Sequence, residues 1–571
     1  MLGRRRLVCC VLTLVAGIGA VGCAVEQGGS PPEASVDPAT PPPATPVPPE
    51  STPPPVVGVD PPAPPVTPPA PGPVTPEPGP GTPVPKPTVC APTGAGPYWL
   101  QEGEPLSLTL RCGTGHSAPE LRFTVSPLPA GATVDASGTF RWTPGRDQAA
   151  VWNLTVTETR TGETGTLKVG VAENWQAPGN VRIVDPEAYT EEYGLPVLHL
   201  NHVESLTAGG YRPAELIYRG RRYAMEAKFR GATSSQFPKR NYTLKFPEGE
   251  PFNEPFQAGG FMGRQRLVLI TPFNDNSYIR PRLAFDLWNR MSPDHIQIKT
   301  YSAVLYDNGR FWGLVTVADH VDEDLMTRQG LSKSADLFKA VEADANFSWL
   351  DSKGQPKTVP HQGFEKKEGK PKDGWPGAYD TLNALTAFVA DSDAATFRQQ
   401  RAARMNTRDY EDWWIFNTLI LGTDSSAKNA YHFYDKVTQG PWRFIPWDLD
   451  ASFGQQWDTR RVAATSREDF SSDNLLFARM LADPAIAGPM RERYRELLRG
   501  PWKLEEVEKL IDGYVSELGP VAKRDEARWS KQYREFERWA DRPDFTTHEQ
   551  EVAYLRQWVR ERWRMLEQRL P

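Results

Sequence analysis

Three side chains between residues 423 and 454 have the types and spacing to carry out chemistry. Asp424 and Asn429 lie in a predicted loop, and Asp448 follows after a short strand, a turn and a second strand. Asp424 comes just after a predicted helix end, where a carboxylate can face a cleft. Asn429 offers a neutral oxygen, and Mg²⁺ prefers one or two carboxylates such as Asp448 together with phosphate oxygens. The pattern favours a metal-assisted transfer site.

The order of these groups is that of phosphoryl-transfer enzymes of the protein kinase type. In those enzymes a catalytic-loop Asp is followed by a metal-binding Asn and, after an intervening hairpin, by a metal-binding Asp. Each group also has a plainer interpretation: Thr423-Asp424 could belong to a capping turn, and Asp448 and Asp450 could flank a β-turn. The three groups in this order, with a hairpin between them, favour phosphoryl transfer.

Composition limits the class of protein. The 571 residues predict two or three domains. A net charge of −6 without a basic stripe argues against nucleic acid as a partner. All five cysteines lie within the first 112 residues, and the eight histidines show no HExxH spacing. We therefore do not expect thiolate zinc sites, Cys catalysis or His-based metal hydrolysis in the remainder.

The N-terminus has the features of an export signal. Three arginines precede an apolar run that ends at Gly22, and Cys23 follows small residues as in a bacterial lipobox. We predict a signal peptide over 1–22 and lipidation of Cys23; the alternative is an ordinary cleaved signal. Residues 23–88 predict a Pro-rich, extended tether. The chain is then an exported lipoprotein of the cell envelope or surface, attached to the membrane by the lipid alone.

Residues 89–173 predict a small all-β domain. Short alternating stretches such as LSLTL and VWNLTVT are separated by Gly, Pro and Asp. The segment from Leu128 to Pro144 resembles the Ig-like repeats of bacterial surface proteins, which implies a β-sandwich that acts as a spacer or adhesion module. Cys90 and Cys112 are candidates for a disulfide, which an exported location permits.

Residues 180–571 predict one α+β region. Strands are predicted at 223–231, 241–246 and 266–270, followed by a helix in IRPRLAFDLWNRM. The turn Asp307-Asn308-Gly309 predicts a hairpin, and DYEDWWIFNTLILG predicts a helix that ends at Gly422. After Gly454 the pattern is largely helical, so a strand-rich lobe precedes a helical one.

Six separated motifs in this region resemble the CotH kinase family, of the spore-coat protein H type. They are KRNYTLKF, DNSYIRPRLAF, NGRFWGLVTVADHVDEDLMTRQG, ADLFKA, TDSSAKNAYHFY and PWDLDASFG. The resemblance covers nearly all of 185–570 and implies a two-lobed, atypical protein-kinase-like fold. It also implies use of ATP with Mg²⁺ or Mn²⁺, and phosphorylation of Ser or Thr in secreted or coat proteins.

The resemblance also implies roles for individual residues. Asp424 matches the catalytic aspartate, Asn429 and Asp448 match the metal ligands, and Asp450 is a second candidate ligand. The phosphate-covering loop corresponds to Arg230-Gly231 through Ser234 and Ser235, and its basic pair to Lys239-Arg240. Lys239 is the expected nucleotide lysine, with Lys245 as the alternative. The acidic partner of the nucleotide lysine is either Asp319 or Asp286.

Two other functions compete with a kinase. The chain could be a catalytically silent coat or adhesion protein that uses the kinase-like domain as a scaffold, because fold alone does not establish function. It could also be a glycosidase with Asp424 and Asp448 as paired carboxylates, although that leaves Asn429 and the Gly231 loop without a role.

Overall fold

The computed structural model describes residues 90–92, 96–112, 122–176, 184–257, 259–537 and 545–570. The predicted signal peptide, the lipidation site at Cys23 and the tether up to residue 88 lie outside these ranges. Across the described ranges, no helix combines the length and apolar character needed to cross a membrane.

The first described domain is a β-sandwich. Its strands are β1 (Cys90–Pro92), β2 (Tyr98–Gln101), β3 (Leu106–Cys112), β4 (Phe123–Ser126), β5 (Thr133–Val134), β6 (Thr139–Trp142), β7 (Ala150–Glu158) and β8 (Thr164–Ala172). They form two sheets with the orders β1-β3-β6-β5 and β2-β8-β7-β4. Alternate apolar residues fill the space between the sheets, with Phe140, Leu154 and Val169 fully buried. Cys112 is disulfide-bonded, and the β1–β3 register places Cys90 opposite it.

A β-barrel follows the sandwich. Its strands and those of a small attached hairpin are β9 (Glu191–Glu192), β10 (Leu195–Asn201), β11 (Arg212–Tyr218), β12 (Arg221–Arg230), β13 (Asn241–Lys245), β14 (Phe252–Glu254), β15 (Phe261–Arg264), β16 (Arg266–Ile270), β17 (Thr300–Asp307) and β18 (Arg310–Asp319). The sheet order is β11-β12-β13-β16-β18-β17-β10-β9, and β10 also pairs with β11. That extra pairing closes the sheet on itself, which removes its exposed edges.

The predicted hairpin joins two barrel strands. Strands β17 and β18 pair antiparallel from Thr300 opposite Ala318 to Asp307 opposite Arg310. Asn308 and Gly309 both have positive φ, at 49° and 73°. This is the backbone that an Asn-Gly turn adopts because it matches the twist of the strands, so the hairpin prediction is confirmed.

A second sheet and the helices make up the rest of the α+β region. The sheet has the order β20-β19-β21-β22. Its strands are β19 (Asp336–Ala340), β20 (Phe364–Glu368), β21 (Ala430–Tyr434) and β22 (Arg443–Pro446). The helices are α1 (Arg280–Met291), α2 (Glu323–Arg328), α3 (Asp380–Asp391), α4 (Ala394–Arg404), α5 (Thr407–Ile420), α6 (Leu475–Ala482), α7 (Pro484–Arg499), α8 (Leu504–Arg534) and α9 (His548–Arg569). A β-rich part thus precedes a helical part, as predicted.

Helix α5 carries the candidate site at its C-terminus. Trp413 of α5 stacks on Phe444 of β22 with ring centroids 4.4 Å apart, which fixes the helix against the second sheet. The helix ends with Leu421 in the left-handed conformation, at φ 47°, where the sequence predicted Gly422. Gly422 has a different reason to be glycine, because a Cβ there would lie 2.4 Å from Oδ1 of Asn417.

Helix α8 returns to the barrel after a kink. The backbone of Gly519, with φ 33°, breaks the helix before Pro520, whose ring cannot continue the hydrogen-bond ladder. Beyond the kink, the Asp525 carboxylate accepts a hydrogen bond of 2.7 Å from the backbone N–H of Leu314 in β18. The last part of the helical region therefore stabilises the barrel.

Candidate active site

Asp424 lies in the loop that follows α5 and is bound at both carboxylate oxygens. Lys428 Nζ lies 2.8 Å from Oδ1, and Asn429 Nδ2 donates to Oδ2 at 2.8 Å and to the Asp424 carbonyl at 2.9 Å. The Trp413 indole donates to the Ser425 carbonyl, which fixes the loop to α5. Burial raises the pKa of Asp424, the Lys428 charge opposes that rise, and the Asp448 charge adds to it.

Asn429 connects three segments of the site. Its backbone N–H donates to the Ala340 carbonyl of β19 at 2.9 Å, and its own carbonyl accepts from the Trp447 N–H at 3.0 Å. Its φ of 56° is in the left-handed region, which Asn tolerates better than most residues. The Asp424 loop, β19 and the end of β22 therefore meet at Asn429.

Two carboxylates follow β22. Asp448 is exposed, also has φ 56°, and makes no hydrogen bond or ion pair within the described ranges. Asp450 Oδ2 accepts a hydrogen bond of 2.6 Å from Asn274 Nδ2. The backbone carbonyl of Asn274 in turn accepts a hydrogen bond from Gln455 Nε2. Asp450 is thus fixed from the barrel side, whereas Asp448 is available to a ligand.

The three aspartates act on one another electrostatically. Burial raises the pKa of Asp450 to about 8, and the charges of Asp448 and then Asp424 add to the rise. The charge of Asp448 also raises the pKa of Asp424. Like charges that share a poorly solvated region disfavour ionisation, and a bound cation reverses that effect.

The donor atoms at this position suit a hard divalent cation. Asn429 turns Nδ2 toward Asp424, which leaves its amide Oδ1 for a metal, and Asp448 adds a carboxylate. Within the described part of the chain, no group of three or more His, Cys, Asp or Glu side chains is close enough to hold a metal ion. The oxygen donors of Asn429 and Asp448 are of the type that binds Mg²⁺ when substrate phosphates and water complete the coordination.

The loop after β12 contains the predicted phosphate-covering residues. Gly231 has φ 108°, and a Cβ on it would lie 1.9 Å from Ser234 Oγ. Ser234 Oγ also faces Asn241 Nδ2 at 3.1 Å, and Ser235 Oγ donates to the Ala232 carbonyl at 2.7 Å. These bonds form a tight turn that only glycine can begin.

The two predicted nucleotide lysines, Lys239 and Lys245, form ion pairs with carboxylates other than those of Asp424, Asp448 and Asp450. Lys239 is fully buried, with its ammonium 2.6 Å from the Asp525 carboxylate and 2.8 Å from the Leu314 carbonyl. Lys245, with 42% of its side chain exposed, pairs with Glu226 at 2.8 Å. The Lys239–Asp525 pair joins α8 to the barrel, and we propose a structural role for Lys239 in place of the nucleotide role that the resemblance implies.

The two candidate acidic partners of Lys239 bind other groups. Asp319 accepts from Arg264 Nε at 2.9 Å and from the Lys299 N–H at 2.9 Å. Asp286 accepts from the Tyr514 hydroxyl. The partner of Lys239 is Asp525 instead, which lies in a helix 286 residues away in sequence.

Two further cations lie near the aspartates: Arg230, which the resemblance places at the start of the phosphate-covering loop, and Lys339, which sequence reasoning missed. The Arg230 guanidinium lies 5.2 Å from the centre of the Trp447 ring. Trp447 directly precedes Asp448 in the sequence. Lys339 lies on β19 opposite Tyr431 of β21. The available signal for Lys339 was its position within ADLFKA, where a lysine interrupts an otherwise apolar strand.

Known proteins resemble both parts of the chain. The family model described as "Putative Ig domain" matches residues 87–172, and the one described as "CotH kinase protein" matches residues 227–566. Inner spore coat protein H of Bacillus subtilis (strain 168) is 24% identical over 314 residues, which are 55% of this chain and 82% of that protein.

A structural match falls on immunoglobulin domains. Sidekick-1 immunoglobulin domains 1–4 match with 12% identity and a TM-score of 0.11, over 27% of this chain and 45% of that chain. The chain therefore spans less than half of that structure. The family matches fall on the β-sandwich and on the α+β region, and the predicted multidomain fold is confirmed.

Proposed function

Because this chain belongs to the CotH kinase family, we propose that it transfers the γ-phosphate of ATP to Ser or Thr hydroxyls of surface or spore-coat proteins. One observation carries the proposal: Asp424, Asn429 and Asp448 come together from separate segments, and they are the residue types that phosphoryl transfer uses in this order. The similarity to a spore coat protein supports the acceptor class.

Asp424 is the group that receives the acceptor proton. Its burial and raised pKa make it a stronger base than an exposed carboxylate. As the acceptor oxygen forms its bond to the γ-phosphorus, the hydroxyl proton passes to an Asp424 oxygen, and the bond to the bridging oxygen of ADP breaks. Lys428 and Asn429 hold the carboxylate in position meanwhile.

Asn429 and Asp448 are the proposed ligands of Mg²⁺ or Mn²⁺, with Asp450 beside them. The ion supplies positive charge to the β- and γ-phosphate oxygens when it is bound. Asp450, which is bonded to Asn274, orients the turn that presents Asp448.

The test is transfer of labelled γ-phosphate by the purified chain. With Mg²⁺ or Mn²⁺ and a generic protein acceptor, we expect wild-type protein to label itself or the acceptor. Asp424→Asn and Asp448→Asn should abolish most of the labelling while the protein remains folded. Unchanged labelling in both variants would contradict the site assignment.

The second candidate is a catalytically silent coat or adhesion protein. It is favoured by one observation, which is that Lys239, the lysine that the resemblance gives to the nucleotide, is fully buried and paired with Asp525. Calorimetric titration with ATP and Mg²⁺ distinguishes the two, since a silent scaffold gives no heat of nucleotide binding.

The N-terminal segment completes the proposal. We propose that the chain is exported, lipidated at Cys23 and held away from the membrane by the Pro-rich tether. In polyproline II, at about 3.1 Å per residue, residues 31–88 could span up to roughly 180 Å. Mass spectrometry of the mature protein tests this proposal. An unmodified N-terminus at any residue other than Cys23 would contradict it.

A further inference from the structure

One face of the Ig-like sandwich is exposed at one end of strand β8 and buried at the other. Every second residue of β8 points away from the sandwich core. Of these residues, Thr164 and Thr166 are exposed, whereas Gly170 and Ala172 are buried. A free-standing sandwich would present this whole face to water. Another part of the chain therefore covers the C-terminal end of β8.

The segment that contains β9, residues 184–193, covers this end of the strand. Gly170 lies against Trp99 of β2, since a Cβ on it would be 2.1 Å from the Trp99 ring. Trp99 in turn contacts Tyr193, with ring centroids 5.5 Å apart. Lys168 Nζ lies 2.8 Å from Glu191 Oε2. Glycine at position 170 thus makes room for the ring that joins the sandwich to the β9 segment.

A second set of contacts reaches the barrel and α8. Trp175, which follows β8, stacks on Phe311 of β18 with ring centroids 5.8 Å apart and an angle of 8° between the planes. The guanidinium of Arg524 in α8 lies 4.9 Å from the centre of the same Phe311 ring. The backbone N–H of Val151 in β7 donates to the Ala188 carbonyl at 3.2 Å. Phe311 therefore connects the end of the sandwich with α8.

Charged groups of the sandwich and of the α+β region share one poorly solvated place. Burial raises the pKa of Glu173 to about 8, the charge of Arg524 opposes that rise, and the charges of Glu192 and Glu102 add to it. Arg524 Nε lies 2.6 Å from Glu192 Oε1. The sandwich thus contributes two carboxyl groups to the surroundings of this buried ion pair between β9 and α8.

We propose that the Ig-like sandwich is a fixed part of the α+β region that supports α8, and that it does not act as a freely moving spacer or adhesion module. The proposal is independent of kinase activity. Linked domains move relative to each other unless their interface is extensive, and here ring contacts, an ion pair and a main-chain hydrogen bond act together. The support continues along α8, because Arg524 precedes Asp525, whose carboxylate binds Lys239.

The experiment is to cut the chain between the two parts and to ask whether they separate. Residues 177–183 are replaced by the recognition site of a specific protease, and the cut, non-reduced protein is run on a size-exclusion column at physiological ionic strength. We expect the sandwich fragment to elute together with the α+β fragment. Elution as two separate folded fragments would overturn the proposal, and this result needs no interface variant.

A double variant with a matched control tests the contacts themselves. Trp99→Ala combined with Lys168→Glu should release the sandwich after cutting, because it removes the ring contact with Tyr193 and places a second carboxylate beside Glu191. Circular dichroism of the released fragment checks that the sandwich is still folded. Arg141→Glu makes the same charge reversal on β6 of the other sheet, where the Arg141 side chain is 57% exposed. This control should leave the fragments together, and release by it would show a general charge effect and overturn the proposal.

Hydrogen exchange of the uncut proteins tests the support of α8. In the double variant the backbone amides of residues 521–534 should exchange roughly tenfold or more faster than in wild type, because local opening of α8 becomes easier. The amides of α5, which makes none of these contacts, should exchange as in wild type. Unchanged exchange over residues 521–534 in a variant that releases the sandwich would overturn the supporting role.

Discussion

Replacing Lys239 by Met tests whether this lysine is structural or binds nucleotide. The Lys239 ammonium and the Asp525 carboxylate are 2.6 Å apart, and their side chains are 0% and 2% exposed. Asp525 also accepts from the Leu314 N–H. The substitution therefore leaves a carboxylate buried between α8 and β18 without its cation.

The magnitude follows from the protonation of Asp525. Burial already raises the pKa of this carboxyl group, with Lys239 as the main opposing charge. Without Lys239 the folded protein must bury Asp525 in its neutral form. Protonating an acid with an unfolded pKa of about 3.9 at pH 7 costs about 4 kcal/mol, which agrees with the roughly 3–5 kcal/mol measured for broken buried pairs.

The same reasoning predicts a pH dependence. The folded-state pKa of Asp525 in the variant lies above its unfolded value, so the lost stability is regained as pH falls toward the unfolded pKa. At pH 5 the cost should be only about 1.5 kcal/mol. Denaturant unfolding followed by circular dichroism, at pH 7 and at pH 5, measures both values against wild type.

Two further variants control this experiment. Lys245→Met removes a lysine whose pair with Glu226 is about 42% exposed, and it should cost no more than about 1 kcal/mol. Lys239→Met combined with Asp525→Leu should recover most of the stability, because neither charge remains buried. A Lys239→Met protein that is as stable as wild type but has lost ATP binding would refute the structural assignment.

Three other predictions follow from the structure. Asp424→Asn should lower phosphate transfer by about 10²–10⁴-fold with ATP binding retained, and calorimetry showing that binding is lost as well would contradict a role in proton transfer. Gly231→Ala should weaken ATP binding and lower the melting temperature, because its φ is 108° and the new Cβ would meet Ser234; wild-type values would contradict the tight-turn role. Burial raises the pKa of Glu173 from 4.5 to about 8, so the free energy of unfolding of wild type should fall as pH rises between those values. Glu173→Gln should flatten this dependence of unfolding free energy on pH. Glu248→Gln, at an exposed site, is the control and should leave the dependence unchanged.

Local sequence chemistry was sufficient where a feature depends on neighbouring residues. The Asn308-Gly309 turn was predictable because only certain residues tolerate positive φ at both positions. The helix that became α1 was predictable from its periodicity, since Leu283, Leu287 and Met291 lie four residues apart and are all buried. The order of Asp424, Asn429 and Asp448 in the sequence indicated a shared site.

Features that depend on distant parts of the chain were not predictable in this way. No local pattern connects Lys239 with Asp525, which lies in the last third of the sequence. The pairing of β10 with β11 that closes the barrel is likewise a tertiary contact. The sequence shows Lys339 in the motif ADLFKA, but its burial, its pairing with β21 and the charge of Arg230 that acts on it depend on distant parts of the chain.

The most direct test of the central claim is a phosphosite map. The full chain is incubated with ATP and Mg²⁺ or Mn²⁺, with and without an acceptor protein, beside the Asp424→Asn variant, and the peptides are read by mass spectrometry. We predict phosphoserine or phosphothreonine in the wild-type reactions and almost none with Asp424→Asn. Equal phosphorylation by the two proteins, or none by a wild-type protein that binds ATP, would contradict the assignment of Asp424, Asn429 and Asp448 as a phosphoryl-transfer site.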